Sequence, residues 1–338
     1  MQAVVLVGGF GTRLRPLTLS VPKQILPVGN VPMIERVVEH LGRSGVDEVV
    51  LSLGYQPDAF LDRYPDGTCA GVSMRYAVEP EPLDTAGAIA FAARAAGIDG
   101  RFIAVNGDVL TGLDVADLWN QHASRGAAAT IALTPVDDPS RYGVVPLDAD
   151  GRVEAFIEKP DPGTAPSNWI NAGTYVLDAN VLDAIEPGRR VSIEREVFPA
   201  LVEQGAVYGV QSDAYWIDAG TPEAYLQVQL DLLAGRLGTV PDPIDPTATV
   251  DPSATVTGSF VGAGATVGPD VVVTDSVVMA GATIESGVRI ERSLLGPGCV
   301  IGEASALSDL SVVGDGESVP AGTVVAAGRL PGPDTWPS

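Results

Sequence analysis

The C-terminal third of the chain contains a short apolar repeat that few folds can accommodate. Four similar stretches, SFVGAGATV, SVVMAGATI, SLLGPGCVI and SVVGDGESV, begin at Ser259, Ser276, Ser293 and Ser311, so their starting points are 17, 17 and 18 residues apart. An apolar residue recurs every five or six positions, which the periodicity of a helix cannot produce. Hexapeptide spacing with small residues between is typical of a parallel β-helix with about three strands per coil. The repeats therefore predict roughly five coils over residues 244–328.

The residues before the repeats alternate short β-rich runs with helical patterns. Ala3–Val7, Val49–Leu53 and Phe102–Asn106 have the composition of buried strands, whereas Thr85–Ala96 and Pro222–Leu237 have that of helices. This alternation is typical of an α/β fold with a Rossmann-like, mostly parallel sheet covered by helices. Ligands of such folds bind beyond the carboxyl ends of the strands. We therefore expect the residues that follow each strand to open onto one crevice.

A proline-rich stretch, GTVPDPIDP, separates the two patterns with three prolines in nine residues. The length of 338 residues suggests about two domains. We predict an α/β domain over residues 1–237, a linker at 238–243, a β-helix domain at 244–328 and a tail at 329–338.

The charge and the cysteines limit the partners and the compartment. The formal net charge is −23, and a surface of that sign repels nucleic acid and anionic lipid. No apolar run approaches the ~18 residues of a membrane span, and no signal-peptide pattern is present at the N-terminus. Cys69 and Cys299 are far apart, so a disulfide framework or a cysteine metal site is not expected. These features indicate a cytoplasmic protein that binds neither nucleic acid nor membrane.

Residues 5–23, VLVGGFGTRLRPLTLSVPK, look like a strand running into a phosphate loop, yet they fit neither familiar motif. Gly11 is followed by Thr12 and Arg13 instead of the Gly-Lys-Ser/Thr of a Walker loop, and Leu14 replaces the third glycine of a dinucleotide fingerprint. Glycines still leave backbone N–H groups free to face phosphate oxygens. Arg13 can hold a terminal phosphate through two parallel hydrogen bonds, and Lys23 can reach a neighbouring phosphate. The alternative is a strand-to-helix turn with solvated charges.

Two carboxylates follow apolar runs. Asp108 comes just after the predicted strand Phe102–Asn106, and Asp218 lies in the stretch YWIDAGTP. Burying one carboxylate is costly, and two that face one crevice suggest Mg²⁺ with phosphate oxygens and water as its other ligands. Each residue also has a structural interpretation, because Asp218 can cap the helix that begins at Pro222 and Asp108 can be a turn aspartate.

A second polar group suits a sugar phosphate. The stretch FIEKP supplies Glu158 and Lys159, and INAGTYVL supplies Asn171. Of 20 basic residues only Lys23 and Lys159 are lysines, and both lie in motif-like stretches. Glu158 and Asn171 can bond ring hydroxyls while Lys159 takes the phosphate. The alternative is a surface Glu-Lys pair with a turn asparagine.

Together these stretches resemble the sugar-nucleotide pyrophosphorylases over nearly the whole chain. The shared motifs are GGFGTRLRPLT with PK, EPEPLDTAGA, NGD, EKP, INAG, SIEREVFPAL and WIDAGTP. The likeness is greatest to mannose-1-phosphate guanylyltransferases, the GDP-mannose pyrophosphorylases, which carry a C-terminal left-handed β-helix. The resemblance, and not the repeat spacing, implies that handedness.

The resemblance implies a nucleotidyltransferase that joins a nucleoside triphosphate to a sugar 1-phosphate with Mg²⁺ as cofactor. Arg13, Lys23 and Asp108 would be catalytic, and Asp108 and Asp218 would hold the metal. The implied nucleotide-binding residues are Gly8, Gly9, Gly11, Thr12, Glu79, Thr85 and Ala86. The implied sugar-phosphate residues are Gly143, Glu158, Lys159 and Asn171. We also expect a homo-oligomer built through the β-helix domain.

The base and the sugar are less tightly constrained. The family usually has glycine where this chain has Asp84, and PKQI replaces its usual PKPL, so that Gln24 is more typical of thymidylyltransferases. Glu79 favours guanine, because a carboxylate can accept from N1–H and the 2-amino group together. The leading hypothesis is GTP plus mannose 1-phosphate giving GDP-mannose. The rivals are thymidylyl or uridylyl transfer to glucose 1-phosphate, and a non-catalytic regulatory subunit that binds sugar nucleotide.

Overall fold

The computed structural model describes residues 1–54 and 56–337, which divide into two compact units. The first contains residues 1–9 and 37–216, and the second contains residues 10–36 and the chain from Ile217 onward. The second unit thus includes a segment near the N-terminus as well as the repeats. The boundaries that the sequence suggested follow chain order and stay a prediction.

The first unit is built on a single sheet of ten strands. In chain order these are β1 (Gln2–Leu6), β2 (Glu48–Leu53), β3 (Thr68–Cys69), β4 (Val72–Val78), β5 (Arg101–Asn106), β6 (Ala129–Pro135), β7 (Gly143–Val144), β8 (Ile157–Glu158), β9 (Trp169–Asp178) and β10 (Val207–Gln211). The main path runs β8-β7-β9-β5-β1-β2-β4-β3, while β6 pairs with both β9 and β10.

The centre of this sheet is parallel, which confirms the predicted α/β class. β1 pairs in parallel with β2 and with β5, and β2 pairs in parallel with β4, whereas β9 runs antiparallel to β5 and β6. Leu6 and Asn106 are register partners, so the chain leaves β1 and β5 at the same level of the sheet. Gly8 and Asp108 each follow two residues after that level. The first glycines and the first aspartate therefore emerge at one edge, as predicted.

The helices cover the sheet or belong to the second unit. They are α1 (Met33–Arg43), α2 (Asp58–Arg63), α3 (Asp84–Ala96), α4 (Val115–Arg125), α5 (Phe198–Glu203) and α6 (Pro222–Leu233), with a π-helical turn at Ile193–Val197 and 3₁₀ turns at Thr12–Leu14, Lys23–Ile25, Pro139–Arg141, Ala179–Leu182 and Pro333–Thr335. The last predicted helix ends at Leu233, four residues before Leu237. Among the described residues, no helix has both the length and the apolar composition needed to cross a membrane.

The repeats of the second unit form three parallel sheets of five strands each. The strands of the first sheet are Thr249–Val250, Thr266–Val267, Thr283–Ile284, Val300–Ile301 and Ser318–Val319; those of the second are Thr255–Thr257, Val272–Thr274, Arg289–Glu291, Ala306–Ser308 and Val324–Ala326; those of the third are Phe260–Val261, Val277–Val278, Leu294–Leu295, Val312–Val313 and Arg329–Leu330. Each strand pairs with its counterpart one repeat further on, for example Val267 with Ile284. The five coils match the predicted left-handed β-helix, and its core holds the recurring apolar residues.

Short strand pairs complete the described secondary structure. Pro27–Val28 pairs with Val31–Pro32 in the second unit. Two further short strands are Val109–Thr111 and Trp216–Asp218.

The extra residue of the 18-residue repeat is accommodated at one corner of the β-helix. Asp275 and Arg292, one repeat apart, have φ of 47° and 44°, in the left-handed region. At the next corner two consecutive residues, Asp309 and Leu310, have φ of 53° and 64°. The insertion is therefore absorbed in a turn, and the strands on either side keep their pairing.

Within the second unit, helix α6 holds the segment at residues 27–30 through buried polar contacts. The Tyr225 hydroxyl donates to the Pro27 carbonyl, which also accepts from Gln229 Nε2 at 2.7 Å. Gln229 Oε1 accepts from the Gly29 N–H at 2.9 Å, and Asn30 Nδ2 donates to the Val261 carbonyl at 3.2 Å. The early segment is thus fixed both to α6 and to the first coil of the β-helix.

Buried serines form a ladder along one edge of the β-helix. The Ser276 N–H donates to Ser259 Oγ and the Ser293 N–H donates to Ser276 Oγ, each at 3.0 Å. The hydroxyl of Ser276 in turn donates to the Thr274 carbonyl at 2.7 Å. The serine that begins each repeat therefore satisfies backbone groups at a corner that has no strand pairing.

Replacing Ser276 by alanine should destabilise the β-helix. The variant leaves the buried Ser293 N–H and Thr274 carbonyl without this partner, which costs about 1–3 kcal/mol. Urea denaturation should show the loss as a lower midpoint. Ser286→Ala is the matched control, because the Ser286 hydroxyl bonds Glu303 at the surface, and its effect should stay within about 0.5 kcal/mol. Equal midpoints for the two variants would contradict the ladder's role.

Candidate active site

In the second unit, the later half of the glycine loop is a tight turn that places Lys23 beside Gly11. Gly11 has φ of 63°, and the Thr18 hydroxyl donates to its carbonyl at 2.8 Å. A Cβ on Gly11 would lie 3.0 Å from Thr18 Cγ2 and 3.3 Å from Lys23 Cβ. Gly11 is therefore needed both for its backbone conformation and for this close approach. Thr12 and Arg13 follow in the 3₁₀ turn Thr12–Leu14.

Arg13 and Asp218 lie together around Gly220. Arg13 Nη2 is 3.9 Å from Asp218 Oδ2, and the side chains are 62% and 29% exposed, so solvent reaches both. Asp218 Oδ1 accepts from the Gly220 N–H at 2.9 Å. A Cβ on Gly220 would lie 2.6 Å from Arg13 Nη2 and 2.8 Å from Asp218 Oδ1. The missing side chain of Gly220 makes room for the guanidinium.

The structure decides one of the alternatives for Asp218. The cap of α6 is Thr221, whose Oγ1 accepts from the Ala224 N–H at 3.3 Å. The Asp218 carboxylate contacts Gly220 and Arg13 instead. Asp218 is therefore not the helix cap.

In the first unit, the earlier half of the glycine loop adjoins Glu79. A Cβ on Gly8 would lie 3.3 Å from Glu79 Oε1 and 3.5 Å from the Gly54 nitrogen. Glu79 is only 9% exposed, and its two oxygens accept from the Ser52 hydroxyl at 2.9 Å and the Leu83 N–H at 3.1 Å. The carboxylate is thus held in one orientation at the start of the loop that leads into α3. Gly8 is half-buried, and Gly9, which follows it, is exposed.

Asp84 stands where the resemblance leads us to expect glycine, and it adopts a backbone conformation that glycine favours. Its φ is 60°, in the left-handed region that aspartate tolerates better than most residues. Asp84 Oδ2 lies 3.0 Å from Arg195 Nη2 and 3.8 Å from Arg190 Nε, while Oδ1 accepts from the Thr85 N–H at 2.9 Å. Two arginines therefore neutralise the charge that replaces the glycine.

The Thr85 hydroxyl and the Ala86 N–H form hydrogen bonds within the protein. Thr85 Oγ1 donates to Glu194 Oε2 and accepts from the Ile193 N–H, both at 2.8 Å, and the Ala86 N–H donates to the Val191 carbonyl at 2.9 Å. These bonds tie the start of α3 to the segment SIEREV. Their role in nucleotide binding stays a prediction.

The first aspartate follows a crowded backbone. The Gly107 N–H donates to the Leu6 carbonyl at 2.9 Å, and a Cβ on Gly107 would lie 2.8 Å from that oxygen. Asn106 packs against Gly173, where a Cβ would lie 2.7 Å from Asn106 Nδ2. The NGD and INAG motifs therefore meet side by side, and Asp108 comes directly after this contact.

Three of the predicted sugar-phosphate residues meet on neighbouring strands. Gly143 in β7 and Glu158 in β8 are register partners, and Glu158 Oε1 is 2.9 Å from Lys159 Nζ. A Cβ on Gly143 would lie 2.7 Å from the Phe156 ring and 3.1 Å from Glu158 Oε2. Glycine at 143 thus leaves the room that the glutamate and the phenylalanine occupy. Lys159 has φ of 48°, and its side chain is 65% exposed.

Asn171 lies beside a bulge in β9. Its Nδ2 donates to the Tyr175 hydroxyl at 2.8 Å, and its Oδ1 accepts from the Gly173 N–H at 2.9 Å. Burial, with Glu194 and Glu158 nearby, raises the pKa of Tyr175 well above its usual range. The tyrosine therefore stays neutral and orients the amide of Asn171.

Several neighbours of the site were missed by sequence reasoning. These are Thr18, Ser52, Tyr175, Glu194, Arg195 and Gly220. Ser52, Glu194 and Arg195 bond partners 27, 109 and 111 positions away, which a local motif does not reveal. Thr18 and Tyr175 bond partners seven and four positions away, but no motif indicated these contacts. Gly220 is an exception, since a glycine two residues after a predicted metal aspartate was a readable signal.

The comparisons with known proteins agree with the geometry. A family model described as nucleotidyl transferase matches residues 2–235, which is more than half of the chain. The chain belongs to the nucleotidyl transferase family. A second model, described as the GMPPB C-terminal domain, matches residues 240–330 of this nucleotidyl transferase. The predicted resemblance is thereby confirmed in both parts of the chain.

Curated relatives of this nucleotidyl transferase carry one name. The chain is 44% identical over 238 residues to mannose-1-phosphate guanylyltransferase of Mycobacterium tuberculosis, covering 70% of this chain and 65% of the relative. It is 43% identical over 232 residues to mannose-1-phosphate guanyltransferase of Schizosaccharomyces pombe, covering 67% and 62%. The match thus spans slightly less than two thirds of these relatives.

A solved structure supports the fold of the first part. HddC from Yersinia pseudotuberculosis matches with a TM-score of 0.59 and 30% identity, over 68% of this chain and 97% of that one. The same protein complexed with GMP-PN matches with a TM-score of 0.59 and 31% identity over the same shares.

Gly220→Ala should impair nucleotidyl transfer by displacing Arg13. The added methyl would lie 2.6 Å from Arg13 Nη2, so the guanidinium must move away. A shift of about 1 Å in a positioning group can cost roughly a hundredfold in rate. We expect kcat to fall between tenfold and a hundredfold, measured as pyrophosphate release. Gly100→Ala is the control, because a Cβ there meets nothing within 4 Å. Wild-type kcat in Gly220→Ala would show that Arg13 is not held by this contact.

Proposed function

We propose that this chain transfers a guanylyl group from GTP to mannose 1-phosphate, giving GDP-mannose and pyrophosphate. The observation that carries the reaction class is the Arg13 guanidinium held beside the Asp218 carboxylate on a glycine-rich loop in a nucleotidyl transferase. The choice of substrates rests on the curated mannose-1-phosphate guanylyltransferases that the chain resembles.

In the proposed reaction, an oxygen of the sugar phosphate attacks the α-phosphorus of GTP in line. The bond from that phosphorus to the bridging oxygen of the β-phosphate breaks, and pyrophosphate leaves with the electron pair. Arg13 neutralises the charge that develops on the leaving group through its forked donors. Lys23, beside Gly11, contacts the transferring phosphate. Catalysis then comes from positioning and charge neutralisation, without a covalent enzyme intermediate.

The carboxylates of Asp108 and Asp218 suit a magnesium ion that is bound together with the nucleotide phosphates. Within residues 1–54 and 56–337, no group of three or more His, Cys, Asp or Glu side chains is arranged to hold a metal. Mg²⁺ in nucleotide enzymes usually takes only one or two carboxylates, together with phosphate oxygens and water. Asp108 and Asp218 are proposed as those two ligands, and Asp218 is partly exposed as a ligand must be. When bound, the ion would neutralise phosphate charge.

The sugar phosphate is proposed to bind at Gly143, Glu158, Lys159 and Asn171. Glu158 and Asn171 can bond hydroxyls of the ring, and Lys159 can contact the phosphate. The ion pair between Lys159 and Glu158 supports this assignment, since it brings a cation and an acceptor within 2.9 Å on one strand end.

Guanine is proposed to be read by Glu79. Its carboxylate is held at the start of the loop that precedes α3, where one oxygen accepts from the Ser52 hydroxyl and the other from the Leu83 N–H. Each carboxylate oxygen has a second acceptor site, so both can still receive a donor from the base. Gly8, Gly9, Gly11, Thr12, Thr85 and Ala86 complete the proposed nucleotide contacts.

Two rival functions remain as outcomes of one assay. Pyrophosphate release should be measured with GTP, ATP, UTP and dTTP against mannose 1-phosphate and glucose 1-phosphate. Turnover with GTP and mannose 1-phosphate above the other pairs supports the proposal. Preference for dTTP or UTP with glucose 1-phosphate would replace it by the same chemistry on other substrates. Absence of turnover with every pair would favour a sugar-nucleotide-binding regulatory subunit.

Assembly, domain limits and compartment complete the proposal. The β-helix has flat sides, which suit self-association into a homo-oligomer. The proposed limits are 1–237 for the catalytic domain, 244–328 for the β-helix, with the linker 238–243 between them and the tail 329–338. The cytoplasm is the proposed compartment, because the chain has only two cysteines, Cys69 and Cys299, which lie far apart in the sequence.

Glu79→Gln should lower the specificity constant for GTP at least tenfold and narrow the gap to UTP or dTTP. The amide can accept only through one atom, so it loses the paired contact that is worth about 1–3 kcal/mol. Ser52→Ala is the control, because it removes the internal bond to Glu79 Oε1 while keeping the carboxylate. If Glu79→Gln and Ser52→Ala changed the nucleotide preference equally, the loop's rigidity and not the carboxylate would determine the base.

Asp108→Asn and Asp218→Asn should each remove most activity and leave the thermal unfolding midpoint nearly unchanged. The amide keeps the shape but loses the charge that Mg²⁺ binds. Activity should be titrated against Mg²⁺ in both variants. A magnesium dependence like that of the wild type in either variant would exclude that residue as a ligand.

A further inference from the structure

The catalytic loop of the second unit is bonded to the C-terminal tail. Arg15 Nη1 donates to the Pro337 carbonyl at 2.7 Å, across 322 positions of sequence. Arg15 is only two residues after Arg13, which is proposed to stabilise the leaving pyrophosphate. The family motif contains this arginine, but nothing in the motif indicates a contact with the tail.

The tail that provides this carbonyl is itself folded. Residues 333–335 form a 3₁₀ turn, and the Thr335 hydroxyl donates to the Gly332 carbonyl at 2.7 Å. Trp336 Nε1 donates to the Pro331 carbonyl at 2.9 Å. The Pro337 carbonyl is therefore held by a compact turn that begins where the last coil ends.

A second contact fixes the residue next to Arg15. A Cβ on Gly314 would lie 3.1 Å from Pro16 Cβ and 3.3 Å from Pro331 Cδ, so Pro16 and Pro331 approach the same coil. The Gly314 N–H donates to the Leu330 carbonyl at 2.6 Å. Arg15 and Pro16 are thus held by the tail on one side and by the last coils on the other.

Arg15 is joined to Arg13 by the 3₁₀ turn Thr12–Leu14, so contacts that fix Arg15 also restrain the backbone of Arg13. The Leu14 N–H donates to the Gly11 carbonyl at 2.9 Å, and the Arg15 N–H donates to the Thr12 carbonyl at 3.3 Å. Arg13 is the central residue of that turn, and its own side chain is 62% exposed. An exposed arginine loses rotamer freedom when it is positioned, so a fixed backbone reduces what must be ordered in the reaction.

We propose that residues 331–337 are a positioning element for the reaction, which holds the turn carrying Arg13 through Arg15 and Pro16. This inference rests on the proposed function for its kinetic consequence. The tail touches no substrate. Its loss should lower kcat, where the leaving group is stabilised, and should leave KM for the sugar phosphate unchanged, because Gly143, Glu158, Lys159 and Asn171 lie in the other unit.

The kinetic test is a double-variant cycle on the full chain. One variant lacks residues 336–338, one is Arg15→Ala, and one combines both. Each single variant should lose roughly tenfold in kcat, and the combined variant should lose no more than either alone, because both break the same bond. Arg15→Lys should recover part of the loss, since lysine can still donate to the carbonyl.

Arg292→Ala is the matched control arginine. It lies at a corner of the β-helix, where its N–H bonds the Thr274 carbonyl. When Arg292→Ala is combined with the truncation, any losses of kcat from the two changes should multiply. The proposal would be overturned if the loss of kcat in the combined variant equalled the product of the losses in the truncated chain and in Arg15→Ala. A wild-type kcat in the truncated chain would overturn it as well.

A second measurement does not depend on activity. The N–H groups of Leu14, Leu17 and Leu19 all donate within this segment, so their hydrogen exchange reports its order. Exchange of these amides should be at least tenfold faster in the truncated chain, while the β-helix amides stay protected. If the exchange of these amides were unchanged in the truncated chain, the proposal would be overturned even if kcat fell. If the full chain transferred no nucleotide, the proposed function would be wrong. The hydrogen-exchange measurement would still show whether the tail orders the turn that carries Arg13.

Discussion

The parallel register between β1 and β5 is the constraint on which the first unit depends. It places Leu6 opposite Asn106, so that the chain leaves both strands at one level. The Gly107 N–H then bonds the Leu6 carbonyl, at a distance that a side chain on residue 107 would obstruct. A slip of one residue would turn the side chains of β1 to the opposite face of the sheet. The glycine turn and the NGD motif thus depend on one pairing, and the INAG motif packs on its edge through Gly173.

Close backbone approach is the common means of building the site. Gly8, Gly143 and Gly220 each lie where a Cβ would meet a side chain that is proposed to bind a substrate, namely Glu79, Glu158 and Arg13. The glycines therefore shape the site by the volume that they leave empty. This also explains why the motifs read as glycine-rich without matching a Walker or dinucleotide loop, since these glycines make room for a neighbouring side chain.

The sequence predicted what depends on local pattern and missed what depends on distant partners. The repeat spacing gave the five coils, and the strand-to-helix alternation gave the central strands within a residue or two. The helix that begins at Pro222 was predicted, although α6 ends earlier than its apolar pattern suggested. Asp84 looked like a defect in the motif, and its compensation by Arg195 lies 111 residues away, beyond any local signal. Nor did chain order reveal that residues 10–36 group with the repeats, because the Gln229 and Asn30 contacts are purely tertiary.

The corner at Asp309 and Leu310 indicates where such β-helices can gain or lose residues during evolution. One added residue there is taken up by a second left-handed position, while the strands before and after stay in register. A residue added inside a strand would instead rotate every later side chain of that coil from core to solvent. Length differences among related chains should therefore collect at the corners. The same corners are the places where a short peptide could be grafted without disturbing the stack.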